Sequence, residues 1–341
     1  MNKTVSYVNL HGTPFERGEQ HGKALAESLR SFVDDGRSRI DSLTREPLTS
    51  DSLEKTINTH KAVVEEYLPD IAREVEGLAV GAGISLQDAW MLQLRREIIG
   101  YSRMTLGDCS TFASVAAEPI LAQTVDLNGN LDDFISVLDI RGSAQRSLVL
   151  SYGGLLGYLG INDGGLAVGL NLVLGGAWQP GIPPYLAIRH LLDTVSTVED
   201  AVEILRTLPL SSSRSFTLCD RNQALAVEVL GDELRILEIS PVAHTNHFLH
   251  PDFASDDQIN VFARNSSNRR LDAISQLASL IPNDEKICFN AFSLPPLCVS
   301  DIGDIRRERT VSAVVMYPGR GEMYLRPGDP SLSETIRFSL N

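Results

Sequence analysis

The sequence predicts an α+β protein in which antiparallel sheets are covered by helices. Residues 1 to 104 carry apolar side chains at helical spacing. After residue 104 the period changes to two, and short apolar runs come in pairs separated by tight turns. Because hairpins follow one another, and helices then separate them from further hairpins, the order argues against alternating βαβ units.

Helices are predicted in the first part of the chain on the basis of spacing and capping signals. The first helical segment has Pro14 near its start, and the second is interrupted by Pro69 and closed by glycines. The third opens with Ser85-x-x-Asp88, which is a capping-box signal. The three segments cover 13–36, 52–83 and 85–102.

The remainder of the chain is predicted to consist mainly of hairpins, with helices between them. Turn chemistry is strongest in Asn162-Asp163-Gly164-Gly165 and in the Pro-Gly-Arg-Gly sequence at 318–321. The predicted strands cover 109–117, 120–128, 135–142, 146–153, 157–161, 166–174, 215–220, 224–230 and 234–240, a last hairpin covers 310–328, and the predicted helices cover 183–195, 199–208 and 267–281.

Composition excludes several function classes. The 341-residue chain is 43% hydrophobic and has a formal net charge of −14, which argues against nucleic acid as a partner because phosphates require basic patches. No stretch approaches 18 uncharged apolar residues and the N-terminus has no apolar signal region, so we predict no membrane span and a cytoplasmic location. The four cysteines form no CxxC pair, which is typical of a reduced compartment.

We predict no metal and no organic cofactor. His244 and His247 are spaced i, i+3, but two ligands alone do not make a zinc site. Histidines at a turn or strand end are the simpler interpretation. The sequence has neither a GxxxxGK[ST] motif nor a GxGxxG motif after a strand, so nucleotide binding has no support.

Cys109, in the stretch LGDCSTFA, lies where the helical part gives way to strands. A thiol is a weak nucleophile at its free pKa of about 8.5, so it needs a base. If the chain were cut just before Cys109, the new α-amine, with a reference pKa of about 7.7–8.0, would serve as that base. From position alone, a small buried hydrophobic residue is an equally valid interpretation and the more common one.

Seven stretches occur in an order that resembles the acyl-CoA:6-aminopenicillanic acid acyltransferase family, the C45-type branch of the N-terminal nucleophile (Ntn) hydrolases. The similarity covers nearly the whole chain. It implies an αββα sandwich of two antiparallel sheets between helix layers. The stretches are HGTPFERGEQHG, EVEGLAVGAGISLQD, DCSTFA, AQTVDLN, GINDGGLAVGLNLV, HTNHF and TVSAVVMYPGRGEMYLRPGDP.

The resemblance also implies a precursor that cuts itself between Asp108 and Cys109. Residues 1–108 would then form a helical α chain that stays associated, and residues 109–341 a β chain. The penicillin enzyme of the family cuts after glycine, whereas here the scissile carbonyl would belong to Asp108. The helical segment before Cys109 favours this branch over the related choloylglycine hydrolases, which usually begin at the cysteine.

The resemblance assigns roles residue by residue. It implies that Cys109 is the nucleophile, that Asp126 holds the α-amine and the thiol, and that Asn171 and Asn246 donate hydrogen bonds to the oxyanion. Gln123 stands where choloylglycine hydrolases usually carry an arginine.

Two arginines are candidates for contacts with the substrate. Arg269 best matches an arginine near the site, and its neighbour Arg270 is the rival. Arg306, in a cluster with Arg307 and Arg309, is the second candidate, for an anionic substrate. A solvated charged face is an equally good interpretation of both groups.

The function predicted from these residues is cleavage of the amide bond of a small N-acyl compound through a thioester on Cys109. An acyltransferase that passes the acyl group from a thioester or amide donor to an amine is the alternative. An uncleaved, inactive binding protein is the alternative from another class. The expected partners are the small-molecule substrate and the two fragments of one precursor, with a homo-oligomer left open and with no nucleic acid and no membrane.

Overall fold

Two stacked β-sheets with helices on their outer faces form the centre of the molecule. The computed structural model describes residues 3–44, 48–100, 109–142, 144–238, 241–280 and 284–341. Strands of one sheet contact strands of the other, and separate helices contact each sheet from outside. The predicted α+β class and its four-layer αββα arrangement are therefore confirmed.

The larger sheet contains eight described strands, and its neighbours are antiparallel except at one edge. At that edge β1 runs parallel to β4, with Ser6 opposite Ser136. Strand β1 lies before the first predicted helical segment and was not among the predicted elements, and its apolar residues Val8 and Leu10 are buried in the core. The strand order is β1 (Ser6–His11), β4 (Ile135–Arg141), β5 (Arg146–Tyr152), β6 (Leu159–Asn162), β7 (Ala167–Leu172), β8 (Arg214–Cys219), β9 (Ala224–Leu230) and β10 (Glu233–Leu237).

The smaller sheet contains six described strands, all antiparallel to their neighbours. Its hairpin β2–β3 has Ser110 opposite Thr124, as the period of two predicts. Cys109 directly precedes β2. The strand order is β11 (Val242–His244), β2 (Ser110–Ser114), β3 (Ile120–Leu127), β12 (Arg309–Tyr317), β13 (Glu322–Pro327) and β14 (Ile336–Ser339).

Three of the N-terminal helices begin at a side-chain cap, and the one at Ser85 was predicted. Thr13 forms a complete capping box with Glu16, and the Ser85 side chain accepts a hydrogen bond from the Asp88 backbone amide. Helices α1 and α5 pack in backbone contact, because a Cβ atom on Gly18 would lie 1.9 Å from the Glu74 carbonyl oxygen. These helices are α1 (Pro14–Ala24), α2 (Ala26–Asp34), α3 (Gly36–Leu43), α4 (Ser50–Tyr67), α5 (Pro69–Ala82) and α6 (Leu86–Ile99).

The later helices cover both sheets. Helices α7 and α8 pack on the larger sheet, and α10 and α11 pack on the smaller one. Helix α11 and strand β14 were not among the predicted elements. No helix in the described ranges combines the length and the apolar character that crossing a membrane requires. These helices are α7 (Pro184–Thr194), α8 (Val198–Thr207), α9 (Pro251–Ala254), α10 (Val261–Ser279) and α11 (Glu285–Phe292).

A buried ion-pair cluster joins the N-terminal helices to the rest of the chain. We call Arg17, Glu74, Arg189 and Asp193 the Glu74 cluster. The two Glu74 carboxylate oxygens accept hydrogen bonds from Arg189 Nη1 and Nη2 at 2.9 and 2.8 Å, and Arg17 Nε lies 3.3 Å from Glu74 Oε2. Arg189 Nε also donates to Asp193 at 2.9 Å. Since the cluster connects α1 and α5 with α7, we expect fragments divided at 108/109 to remain associated.

Candidate active site

Cys109 lies at the start of the smaller sheet, between the two layers of strands. Its side chain is 2% exposed. The pairing of β2 with β3 places it beside the end of β3, where Sγ lies 4.0 Å from the Asp126 backbone oxygen. On the side of the larger sheet, Sγ lies 3.7 Å from the hydroxyl of Tyr158.

Two side chains converge on the backbone carbonyl of Cys109. Asn171 Nδ2, from β7, donates to this oxygen at 2.9 Å. Arg270 Nη1, from α10, donates to the same oxygen at 2.8 Å and also contacts Ser110 Oγ at 3.1 Å. Elements from both sheets and one outer helix therefore fix the orientation of the Cys109 peptide group.

Asn246 contacts Arg270 rather than Cys109. Its Oδ1 accepts a hydrogen bond from Arg270 Nη2 at 2.9 Å, while its Nδ2 donates to the Leu172 backbone oxygen at 2.9 Å. The Asn246 backbone amide donates to Ser267 Oγ at 2.9 Å. The structure thus brings Asn171 to the nucleophile directly, and brings Asn246 there through Arg270.

Asp126 is fully buried on β3. Its Oδ1 accepts a hydrogen bond from Thr310 Oγ1 at 2.7 Å, and Thr310 lies opposite Asp126 in the pairing of β3 with β12. The two elements thus hold the carboxylate beside Cys109. Asp108, predicted to carry the scissile carbonyl, lies outside the described residues.

The choice of Arg269 over Arg270 is corrected by the structure. Successive residues of an α-helix point about 100° apart, so only one of two neighbours faces a given site. Arg270 is 2% exposed and reaches Cys109, whereas Arg269 is exposed on the outer face of α10.

Arg306 is also corrected as a substrate-binding candidate. Its side chain is exposed and pairs with Asp304 in its own loop, with Nε 2.8 Å from Oδ1. It does not line the cavity at Cys109. This placement agrees with the alternative of a solvated charged group.

Gln123 connects the two sheets behind the nucleophile. Its Nε2 donates to the Leu170 backbone oxygen at 2.8 Å, and its Oε1 accepts from the Leu170 amide at 3.0 Å. Because Leu170 directly precedes Asn171 on β7, this two-way contact holds Asn171 near Cys109. Gln123 makes this contact with an uncharged amide, at a position where the related choloylglycine hydrolases usually carry an arginine.

Cys288, Cys298 and the two histidines of HTNH are buried and have structural surroundings. Burial raises the pKa of Cys288 and of Cys298 to about 12, so both thiols stay protonated at neutral pH. His244 Nε2 lies 2.8 Å from Glu228 Oε1, and His247 Nδ1 lies 2.7 Å from Ser267 Oγ. Among the residues that the structure describes, no group of three His, Cys, Asp or Glu side chains could hold a metal ion.

Two small cavities that share part of their lining lie in this region, one of them at Cys109. The first, of about 20 Å³, is lined by Cys109 and Asp126, and we call it the nucleophile cavity. The second, of about 30 Å³, is mostly apolar, and we call it the apolar cavity. Both cavities are lined by five shared residues, which are Arg96, Leu127, Asn128, Tyr158 and Tyr185.

Sequence reasoning missed three residues that hold the site together, which are Tyr158, Ser267 and Thr310. Tyr158 lies in a strand-like stretch where an aromatic side chain reads as ordinary core. Ser267 and Thr310 lie at the predicted starts of a helix and a strand, where hydroxyl residues are common. Their roles depend on contacts across elements, for which a single sequence carries no signal.

Comparisons with known proteins give a consistent assignment. Residues 116–294, 179 of the 341, match the model of the family described as acyl-coenzyme A:6-aminopenicillanic acid acyl-transferase. The acyl-coenzyme A:6-aminopenicillanic-acid-acyltransferase 40 kDa form of Emericella nidulans is 25% identical over 250 residues, which are 71% of this chain and 69% of that protein. The family match begins after Cys109, so the role of Cys109 depends on the geometry described above.

Solved structures with some similarity to the chain are acylases and amidases. Penicillin V acylase from Agrobacterium tumefaciens has a TM-score of 0.49 at 17% identity, over 68% of this chain and 86% of that chain. The Caenorhabditis elegans ortholog of N-acylethanolamine-hydrolyzing acid amidase has a TM-score of 0.46 at 18% identity, over 68% of this chain and all of that chain.

Proposed function

The chain belongs to the acyl-coenzyme A:6-aminopenicillanic acid acyl-transferase family, and we propose that it hydrolyses the amide bond of a small N-acyl compound through a thioester on Cys109. One observation carries this proposal. Asn171 and Arg270 both bind the Cys109 carbonyl oxygen while the same residue lines an internal cavity. Such convergence on one peptide group is what positioning a nucleophile requires.

Activation begins with a cut before Cys109. The thiol attacks the carbonyl carbon of Asp108, the peptide C–N bond breaks, and a thioester forms between Asp108 and Cys109 Sγ. Water opens the thioester, which leaves a carboxylate on Asp108, the free thiol and a new α-amine on Cys109. That amine, with a reference pKa of about 7.7–8.0, becomes the general base.

The same atoms then act on the substrate. The α-amine takes the thiol proton while Sγ bonds to the substrate carbonyl carbon, and the carbonyl oxygen becomes an oxyanion. Asn171 Nδ2 donates to this oxyanion, a contact of a kind worth about 10²–10³ in rate. The C–N bond breaks, the leaving amine receives the proton, and water hydrolyses the thioester.

The neighbouring residues act as positioning groups. Arg270 holds the Cys109 carbonyl, and Asn246 holds Arg270 through the 2.9 Å hydrogen bond. Asp126 orients the new α-amine and is itself held by Thr310. In the uncut chain the two cavities have room for water only, so we expect the cut at 108/109 to enlarge them.

Acyl transfer is the alternative that the family and the Emericella nidulans relative favour. With an amide donor it differs from hydrolysis only in the final step, where an amine rather than water attacks the thioester; with a thioester donor a thiol, not an amine, also leaves in the first step. Product analysis with and without an added amine separates the two. If the acylated amine is the main product at millimolar acceptor, the transferase assignment replaces hydrolysis.

Intact mass decides between an enzyme and an uncleaved binding protein. We expect the wild-type protein to run as two fragments divided at 108/109 and the Cys109→Ala variant to remain whole. Cys288→Ala is the matched control, because Cys288 is equally buried but lies in the core beneath α11. An uncut wild-type chain with no turnover would favour the binding protein.

A substrate panel of N-acyl amino acids, β-alanyl amines and β-lactams tests the proposed chemistry. A trapped acyl group on the peptide containing Cys109 would support the thioester. Turnover that survives Cys109→Ala would overturn the proposal.

A further inference from the structure

Arg95, on α6, lines the apolar cavity next to the nucleophile cavity. It is 8% exposed. The apolar cavity and the nucleophile cavity share Tyr158, whose hydroxyl lies 3.7 Å from Cys109 Sγ. A group bonded to Cys109 Sγ could therefore extend past Tyr158 towards Arg95.

The guanidinium of Arg95 has no counter-ion in the part of the chain that the structure describes. Its Nε donates to the Ser38 carbonyl oxygen at 2.8 Å. Its Nη2 is buried with no hydrogen-bond partner among the described residues, and the charged groups that act on its pKa include no carboxylate. The Phe32 ring, with its centroid 5.8 Å from the guanidinium carbon, is the aromatic neighbour.

A buried cation in such surroundings is costly unless something pairs with it. Burial lowers the pKa of Arg95 to about 9, so the side chain is still charged at neutral pH. The nearby Arg39 offers no relief because it is a cation too, and it pairs with Asp35 and Asp133. The guanidinium is thus placed to bind an anion that the described residues do not supply.

The rest of the cavity has the character of a binding pocket for a carbon chain. Arg96 also lines it, and no described acidic residue does. Gly129 makes room for the guanidinium, because a Cβ atom there would lie 2.5 Å from Arg95 Nη2. The apolar walls are formed mainly by Phe32, Leu92, Leu131, Tyr152, Leu155 and Tyr185.

We propose that the apolar cavity, once the cut at 108/109 has enlarged it, binds the acyl group of the substrate and that Arg95 binds a carboxylate at the far end of that group. The preferred substrates are then monoamides of dicarboxylic acids, with an apolar spacer between the scissile amide and the carboxylate. This inference rests on the proposed function. The acyl group occupies the enclosed cavity because it stays bonded to Sγ through two chemical steps, whereas the amine must leave after the first.

Matched pairs of amides test the inference. Succinyl, glutaryl and adipyl 4-nitroanilides are compared with butyryl, valeryl and hexanoyl 4-nitroanilides, which lack the carboxylate. We expect the wild-type enzyme to favour at least one carboxylated member about 10-fold or more in kcat/KM, since a charge-assisted hydrogen bond has that value. Arg95→Met should remove this preference, and Arg95→Lys should restore part of it.

Arg73→Met is the control, because Arg73 is an exposed arginine on α5 and should leave the preference unchanged. If Arg95→Met fails to fold, a binding measurement on the wild-type protein replaces it. The monoamide of glutarate should then bind at least about 10-fold more tightly than valeramide, which has the same length and no carboxylate. Equal binding of the two amides would overturn the inference.

The two proposals fail in different ways. If neutral amides are cleaved through Cys109 as well as the carboxylated ones, the assignment of Arg95 is wrong and the proposed function stands. If no amide of either series is cleaved and no thioester forms, the proposed function is wrong, and the binding measurement alone then decides whether Arg95 binds a carboxylate.

Discussion

Two buried arginines, one on α6 and one on α7, have opposite electrostatic surroundings. Arg189 is fully buried in the Glu74 cluster, where burial alone would lower its pKa but Asp193 and Glu74 raise it above the usual value. Arg95 is almost as buried, and there burial lowers the pKa to about 9, with no described carboxylate to compensate. Among the described residues, one cation has a carboxylate partner and the other does not.

The difference indicates what each region is for. In the Glu74 cluster two arginines meet two carboxylates, so the charges balance and the contacts connect helices. Around Cys109 and Arg95 the polar groups converge on one peptide carbonyl and on a cavity. Changes in the first region should therefore affect the free energy of unfolding, and changes in the second should affect turnover.

The largest expected effect is the loss of chemistry in Cys109→Ala. We expect kcat/KM to fall by on the order of 10⁴-fold or more, because no other group can form the thioester. The melting temperature of the variant should stay close to that of the wild type. A steady-state assay with thermal unfolding measures both. If unfolding changes and turnover does not, the division between the two regions is wrong.

Glu74→Gln tests the other region. Removing one partner of a buried ion pair leaves Arg189 partly uncompensated and should lower the free energy of unfolding by about 3–5 kcal/mol. The control is Glu76→Gln on the same helix, whose partner Arg73 is exposed, with an expected change within about 0.5 kcal/mol. Denaturant unfolding measures both variants. Equal losses would mean that the Glu74 cluster is no more important than a surface pair.

Arg270→Met sharpens the assignment of the site. We expect kcat to fall about 100-fold with little change in KM, since the Cys109 peptide group loses one of its two positioning donors. Arg269→Met, one residue earlier on the exposed face of α10, should leave kcat unchanged. A large effect in Arg269→Met with none in Arg270→Met would reverse the assignment.

The smallest expected effect concerns pH and His21, which is fully buried on α1 near Glu74 and Arg189. Burial lowers the His21 pKa to about 4, so the folded protein keeps this imidazole neutral while the unfolded chain binds a proton below its ordinary pKa. The free energy of unfolding should therefore decrease as the pH is lowered, and this group should contribute about 2 kcal/mol of the decrease between pH 7 and pH 5.

The measurement for His21 is a difference between proteins. The free energy of unfolding of His21→Leu should lose about 2 kcal/mol less than that of the wild type over the same pH interval. Using the difference removes the contributions of carboxylates that both proteins share. Identical pH slopes would show that folding leaves the His21 pKa at its unfolded value, so that burial does not keep the imidazole neutral.

Features that depend on short-range sequence patterns, such as helix caps and hairpins, were predicted best. The capping residue Ser85 lies where the short-range pattern places it, and the β2–β3 hairpin was predicted with a tighter turn than the structure has. Strand β1 was not predicted, because six residues beside a long helical region are too few to show a clear period of two.

The site was predictable only in part, for a geometric reason. Arg269 and Arg270 differ by one helical step, and which of them faces Cys109 depends on the exact seating of α10 against β2 and β11. The proposed role of Arg95 could not be predicted from the sequence, because it depends on the lack of a described carboxylate near the guanidinium. An unbalanced charge becomes visible only after folding has brought the surrounding residues together.

The parallel contact between β1 and β4 has a consequence for how this protein must be produced. A recombinant chain that began at Cys109 would leave the whole length of β4 without its neighbour, with backbone amides and carbonyls open to any passing strand. Such a protein would be prone to aggregate in the expression host. Strand β1 thus covers an edge of β4 that would otherwise be open to pairing with another strand, so a recombinant chain should keep it.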